Sequence, residues 1–215
     1  MIKGKNAIDA WKKALKQCFE SGSDFKDQRG MLSREMLNVL VTVDKPNENV
    51  SGPIEKLNSL SNWVYPKLEL LADVMLRKTP SFLYRYSYGR RLFSFGKNIN
   101  QIDNYIIPLL QKNSETRRAV AVLFEPETDS DVSNLDVPGL VLVDFKLRDG
   151  KLNMTAVIRS CDLFFGWPAN IYQLYVLQEY VQKKLGCGLG SLSTFLTSAH
   201  IFEYQFEHIK NVLKE

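Results

Sequence analysis

The sequence predicts an α+β protein. Three observations carry this reading. Residues 140–158 give a strong hairpin signal, several segments space their apolar residues as helices do, and strands and helices mix without the βα alternation of a doubly wound sheet. The hairpin consists of "LVLVDFKL" and "LNMTAVIRS", two β-rich runs joined through Asp149-Gly150, the preferred type I′ turn. Pairing outward from that turn sets Phe145 opposite Met154, Leu140 opposite Arg159 and Gly139 opposite Ser160.

The other elements follow in chain order. Ala7, Ile8, Trp11, Leu15, Cys18 and Phe19 fall at helical spacing and lack the continuous apolar stretch of a signal peptide, so the chain opens with a helix. "SGSDFKDQRGM" is a polar turn, and "EMLNVLVTVDKP" is a β-rich run stopped by Pro46. "WVYPKLELLADVMLRK" has helical spacing, with Pro66 tolerable only in a first turn. "TPSFLYRYSYGRRLFSFG" reads as a loop plus a short strand, "NQIDNYIIPLLQKNSET" as a helix and "RRAVAVLF" as a buried strand. "EPETDSDVSNLD" is a mobile loop. "NIYQLYVLQEYVQKKLG" is a helix ended by Gly186, and a last strand or turn leads into "SAHIFEYQFEHIKNVLKE".

Composition narrows the function. The chain has 215 residues, 45% of them hydrophobic, enough for one domain or one domain with a small lobe. A net charge of +4 suits an anionic small molecule and is too weak to argue for nucleic acid. No run is long and apolar enough to span a membrane. Cys18, Cys161 and Cys187 show no paired spacing, which points to a reducing compartment, the cytoplasm. His200 and His208, with no Cys or acidic cluster nearby, suggest no metal site.

The stretch "RSCDLFFGWPANIYQL" concentrates groups able to hold a ligand: Arg159, Ser160, Cys161, Asp162 and Asn170. Together with "DQRGMLSRE", "YGRRL", "SETRRAVAVLFEPETD" and "SAHIF", it resembles the thymidylate synthase family in order and spacing from about residue 27 to 206. The short length is most similar to the compact archaeal branch. The resemblance implies a single domain over 1–215 with a mixed sheet packed against helices. It also implies a sheet-to-sheet homodimer, a pyrimidine nucleoside monophosphate as substrate, and 5,10-methylenetetrahydrofolate or a related reduced pterin as one-carbon donor.

Residue by residue, the resemblance assigns roles. Arg29 and Arg159 match phosphate-binding arginines of the same subunit, and Arg117 and Arg118 match the pair that reaches the partner's phosphate. Guanidiniums suit that task because they bind phosphate oxygens bidentately. A solvated surface pair is the other reading of 117/118. Ser160 matches a further phosphate donor, and His200 a ligand of the sugar 3′-hydroxyl. Asn170 matches the amide that reads uracil, since an amide both donates and accepts; Asp at that position suits cytosine. Asn170 as an N-cap of the following helix stays open. Asp162 matches the carboxylate on the pterin, or is a turn Asp. Tyr88 matches the group that assists removal of the C5 proton, and Glu69 the organiser of a water network. Phe82, Tyr84 and Tyr86 replace the family's tryptophans or belong to the core.

Three positions depart from the family. Its reaction begins when a cysteine thiolate in Pro-Cys-His adds to C6 of the pyrimidine, yet here the sequence is Pro138-Gly139-Leu140. Cys161 is either a substitute nucleophile, which needs a β-bulge to re-aim it, or a small buried residue. Phe202 replaces a Tyr and loses the hydroxyl toward the sugar, weakening sugar discrimination or admitting a different sugar. Asp144 replaces a neutral amide and is either exposed or a new acid or base.

Overall fold

The computed structural model describes residues 1–60, 64–79, 87–96 and 98–214. Its first half runs β1 (Ile2–Gly4), α1 (Ala7–Ser21), β2 (Ser23–Lys26), β3 (Leu32–Val43), α2 (Gly52–Ser59), α3 (Leu68–Leu76) and α4 (Tyr88–Phe93). A π-helical turn (Ile102–Ile106) then continues into α5 (Ile107–Lys112). The second half runs β4 (Val120–Val122), α6 (Pro126–Asp129), β5 (Leu140–Arg148), β6 (Lys151–Ile158), β7 (Cys161–Asp162), α7 (Gly166–Leu185), β8 (Gly188–Phe202) and α8 (Phe206–Lys214).

The α+β class holds. The strands form one mixed sheet in the order β1-β3-β8-β6-β5-β4, with β2 added to β3 and β7 to β8. Strand β8 runs antiparallel to β3 and parallel to β6. The sequence understates it because Gly, Ser and Thr occupy many positions where a strand signal needs branched or aromatic residues. Helices α1 and α7 bury Trp11, Leu15, Trp167, Ile171 and Leu177 against Met154, Ala156, Leu192 and Leu196 of the sheet. Each such side chain contributes roughly 1.5–3 kcal/mol.

Buried residues alternate with half-buried ones along β6 and β8, so helices pack one sheet face and the other is open. On the open face the register aligns Leu40, Phe195, Val157, Leu142 and Val122 in one apolar row across five strands. The adjacent row is Thr42, Ser193, Thr155, Asp144 and Val120. Asp144 is partnered there by Lys146, two residues along the same face.

The Asp149-Gly150 turn has the positive φ values of its type, 50° and 69°. Phe145 pairs with Met154 as expected, but the register beyond it differs. A bulge between Leu140 and Leu142 pairs Leu140 with Ile158, and the Arg159 amide donates to the Gly139 carbonyl at 2.8 Å. The Val141 carbonyl keeps the β4 side of the ladder, accepting from Leu123 and Phe124, so the irregularity lies on the β6 side. Residue 139 therefore sits opposite Arg159, and not opposite Ser160.

Three other expectations change. "YGRRLF" is helix, N-capped by Ser87, whose hydroxyl accepts from the Arg90 amide. Helix α7 begins at Gly166, before Asn170, with Phe165 at the N-cap; Gly186 ends it at φ 65° as expected. The acidic 125–136 stretch is anchored: Asp129 is buried and paired with Arg91. The π-turn before α5 accommodates Pro108, which has no amide hydrogen to donate. Phe82, Tyr84 and Tyr86 lie outside the described residues.

Candidate functional site

The β2–β3 turn, the ends of β3 and β8, and Arg159-Ser160 after β6 line a cavity of about 870 Å³. Arg29 stands at one side, its guanidinium paired with Asp27 at 3.0 Å and 5.9 Å from the centre of the Phe202 ring. Arg159 is held by the carbonyls of Pro138 (3.0 Å) and Val137 (2.7 Å). Those two bonds fix its direction and leave further N–H groups of its five for an anion. Ser160, Ser198, His200 and Phe202 complete this wall, with Ser33 and Glu35 facing them from β3. Burial lowers the His200 pKa, so at neutral pH the imidazole is uncharged and carries one donor and one acceptor.

Below the cavity the chain turns sharply between β7 and α7, and four residues fix that turn. Trp11 donates to the Leu163 carbonyl (2.7 Å), and Tyr65 to that of Phe165 (2.6 Å). Asp162 accepts from the amides of Phe164 (2.8 Å) and Phe165 (3.1 Å) through one oxygen, and from Gln205 Nε2 (2.9 Å) through the other. Gln205 in turn accepts from the Phe202 amide. Burial raises the Asp162 pKa, partly offset by these hydrogen bonds.

Cys161 is 3% exposed, its Sγ 3.8 Å from Asn170 Oδ1 and 3.7 Å from the Asp162 carbonyl. Burial pushes its thiol well above the ordinary range, which disfavours the thiolate that nucleophilic attack requires. Asn170 lies in the second turn of α7, so its side chain is no N-cap. Gly139 faces α4: a Cβ there would stand 3.9 Å from the Tyr88 hydroxyl and 3.4 Å from the Ser160 carbonyl oxygen.

Comparison with known proteins gives the chain's family. The family model described as thymidylate synthase matches residues 76–215. The chain belongs to the thymidylate synthase family. Relatives named "Putative thymidylate synthase" match it from end to end. That of Methanococcoides burtonii is 34% identical over 214 residues, covering all of this chain and 94% of the relative. That of Methanosarcina barkeri is 33% identical with the same coverage, and that of Methanothermobacter thermautotrophicus 34% identical over 99% of this chain and 98% of its own.

The fold brings Arg29, Arg159, Ser160 and His200 to one cavity, with Asp162 paired beside His200 in the β7–β8 register and Tyr88 facing Gly139. It does not bring all the candidates there. Arg117 and Arg118 are exposed beside the edge strand β4 and do not line the cavity, and Glu69 is exposed on α3, near Tyr172. Sequence reasoning missed Ser33, Glu35 and Gln205. Period-two spacing of Ser33 and Glu35 in a strand places both on one face, which was the available signal. Gln205 acts across 43 residues of chain and gave none.

Proposed function

We propose that this chain binds a uracil nucleoside monophosphate as a two-fold homodimer and transfers a one-carbon unit to C5 of the base without a nucleophile at position 139. The observation that carries this is the cavity in which Arg29, Arg159, Ser160 and His200 converge. The arginines and Ser160 hold the phosphate, and His200 binds a sugar hydroxyl. The Asn170 amide reads N3 and O4 of uracil, and the Tyr88 hydroxyl assists removal of the C5 proton. Glu69 stays assigned to the water network by resemblance alone.

The residues present fit a reduced folate. An ionised carboxylate offers about four acceptor positions, and Asp162 has three occupied, leaving one for a pterin N–H. When bound, 5,10-methylenetetrahydrofolate or a related pterin supplies the one-carbon unit. Asp162 orients it, and Gln205 fixes Asp162. The open apolar row supports the dimer, in which Arg117 and Arg118 reach the partner's phosphate.

The burial of Cys161 favours a second reading, a nucleotide-binding homologue that no longer attacks C6. Tritium release from C5-labelled uridine and deoxyuridine monophosphates separates the two, because exchange requires addition at C6. Release by the wild type supports transfer chemistry, with Cys161→Ala testing that thiol as its source. Tight binding without release supports the second reading.

A further inference from the structure

We infer that Ser33, Glu35, Ser198 and His200 form a reader of the ribose diol, so that the cavity takes a ribonucleotide in preference to its 2′-deoxy counterpart. The inference rests on the nucleotide reading above and names its sugar. It starts from the register of β3 and β8, which sets Glu35 directly opposite His200 and Ser33 opposite Phe202. Side chains at such paired positions share a sheet face with Cβ atoms about 4.5–5.5 Å apart. The Glu35 carboxylate therefore lies beside the imidazole assigned to a sugar hydroxyl, and all four residues line the cavity.

Hydrogen-bond accounting points to a ligand there. The Ser198 hydroxyl donates to Glu35 Oε1, and Oε2 has no partner among the described residues. Ser33 is 1% exposed, and its Oγ has no hydrogen-bond partner among the described residues. A buried hydroxyl without a partner is costly and rare, and Ser33 belongs to the cavity wall. Phe202, across from it, presents a ring with no polar atom. The polar groups for the sugar are thus displaced from β8 onto β3.

A vicinal diol matches this set better than a single hydroxyl. Its two O–H donors satisfy the open acceptor positions of Glu35, as carboxylates do for ribose elsewhere. Its oxygens accept from Ser33 and from the donor nitrogen of His200. A 2′-deoxyribose has one secondary hydroxyl and leaves Ser33 or Glu35 unsatisfied. A site built to hydrogen-bond a hydroxyl discriminates strongly against the analogue that lacks it.

Calorimetric titration of the full-length protein with uridine and deoxyuridine 5′-monophosphates tests the assignment. Uridine monophosphate should bind roughly ten- to a hundredfold tighter, the range of one hydrogen bond to a charged group. Ribose 5-phosphate should outcompete 2-deoxyribose 5-phosphate in the same direction, without a base. Glu35→Ala should bring the ribo-to-deoxy ratio close to one, and Glu35→Gln should leave part of it. Ser33→Ala should weaken ribonucleotide binding while leaving the ligand-free melting temperature unchanged or higher, which a purely structural serine would not do. Equal or tighter binding of the deoxynucleotide by the wild type overturns the diol assignment and leaves the nucleotide reading intact. A Glu35→Ala protein that keeps the wild-type ratio also overturns it. Failure of both nucleotides to bind overturns the two readings together.

Discussion

Gly139 and Tyr88 face one another, and a side chain on residue 139 would begin 3.9 Å from the phenol oxygen. The bulge at Val141 creates this relationship by shifting the end of β5 one residue against β6. Position 139, which family resemblance gives to the nucleophile, therefore lies beside Tyr88 and the Ser160 carbonyl with no side chain of its own. The thiol nearest in sequence, Cys161, packs against Asn170.

The first prediction concerns that thiol. Because Cys161 is buried and its thiolate is disfavoured, alkylation of the native protein should label half-buried Cys187 well before Cys161. Cys18, also buried and with its pKa raised to about 12, should lag as well. Mass spectrometry of iodoacetamide-treated protein reads the order. Early labelling of Cys161 would mean that the turn opens enough for the residue to act as a nucleophile.

A second prediction concerns assembly. Phe195 is the middle of the apolar row between Leu40 and Val157. Placing a charge there with Phe195→Glu should convert the proposed homodimer to monomer in sedimentation experiments, since a buried unpaired carboxylate is strongly unfavourable. Nucleotide affinity should fall with it, because each site then lacks Arg117 and Arg118 of the partner. A wild-type protein that sediments as a monomer at micromolar concentration removes the shared phosphate site.

The fold class, the hairpin and the arginine-bearing segments were legible because each rests on a local pattern: period-two runs, a turn dipeptide, a short motif. What escaped were features decided by distant partners. The register of β5 against β6 shifts at Val141, and nothing near Val141 announces it. Glu35 and Ser33 matter only because β8 pairs with β3 across more than 150 residues of chain. Tyr88 was read as loop or strand because its aromatic neighbours mask the Ser87 cap that starts a helix.

The base supplies a third prediction. Asn170 has no capping duty, its Oδ1 stands 3.8 Å from the Cys161 thiol, and its amide is the group proposed to read the pyrimidine edge. Uridine monophosphate should bind better than cytidine monophosphate, and Asn170→Asp should move preference toward cytosine by about tenfold or more, the worth of roughly 1–3 kcal/mol. Competition binding with the two ribonucleotides measures it. Equal affinity of the wild type for both bases removes this role for Asn170.

The pH dependence of stability follows from His200. Its folded-state pKa lies below the ordinary 6.5, so as pH falls through that value the unfolded chain takes up a proton that the folded chain resists. The stability present above about pH 6.5 is then lost on acidification. Asp162 has the opposite sign: its raised pKa makes the folded form bind a proton more readily, adding stability as pH falls toward the carboxylate range. The wild-type melting temperature should fall from pH 7.5 to 5.5, and His200→Gln should flatten that slope. An unchanged slope in the variant assigns the dependence to another group.

The last prediction restores the missing thiol. A Cβ at residue 139 meets the Ser160 carbonyl oxygen at 3.4 Å, the Tyr88 hydroxyl at 3.9 Å and Ile158 Cγ2 at 4.0 Å, all ordinary contacts, so Gly139→Cys fits without moving backbone. Adding Leu140→His to rebuild the family motif is a different matter. Leu140 is 2% exposed and paired with Ile158 in the core, where an imidazole loses hydration without gaining a partner. The single variant should keep the wild-type melting temperature to within a few degrees, and the double variant should melt measurably lower. With C5-tritiated uridine and deoxyuridine monophosphates, Gly139→Cys should gain slow tritium exchange over the wild type if the proposed site carries the base to residue 139, where the Tyr88 hydroxyl already stands 3.9 Å from the new Cβ. A well-folded Gly139→Cys protein that binds nucleotide and releases no tritium would show that the base is not carried to residue 139. Phe202 and Glu35, which line the cavity, would then be the positions to change next.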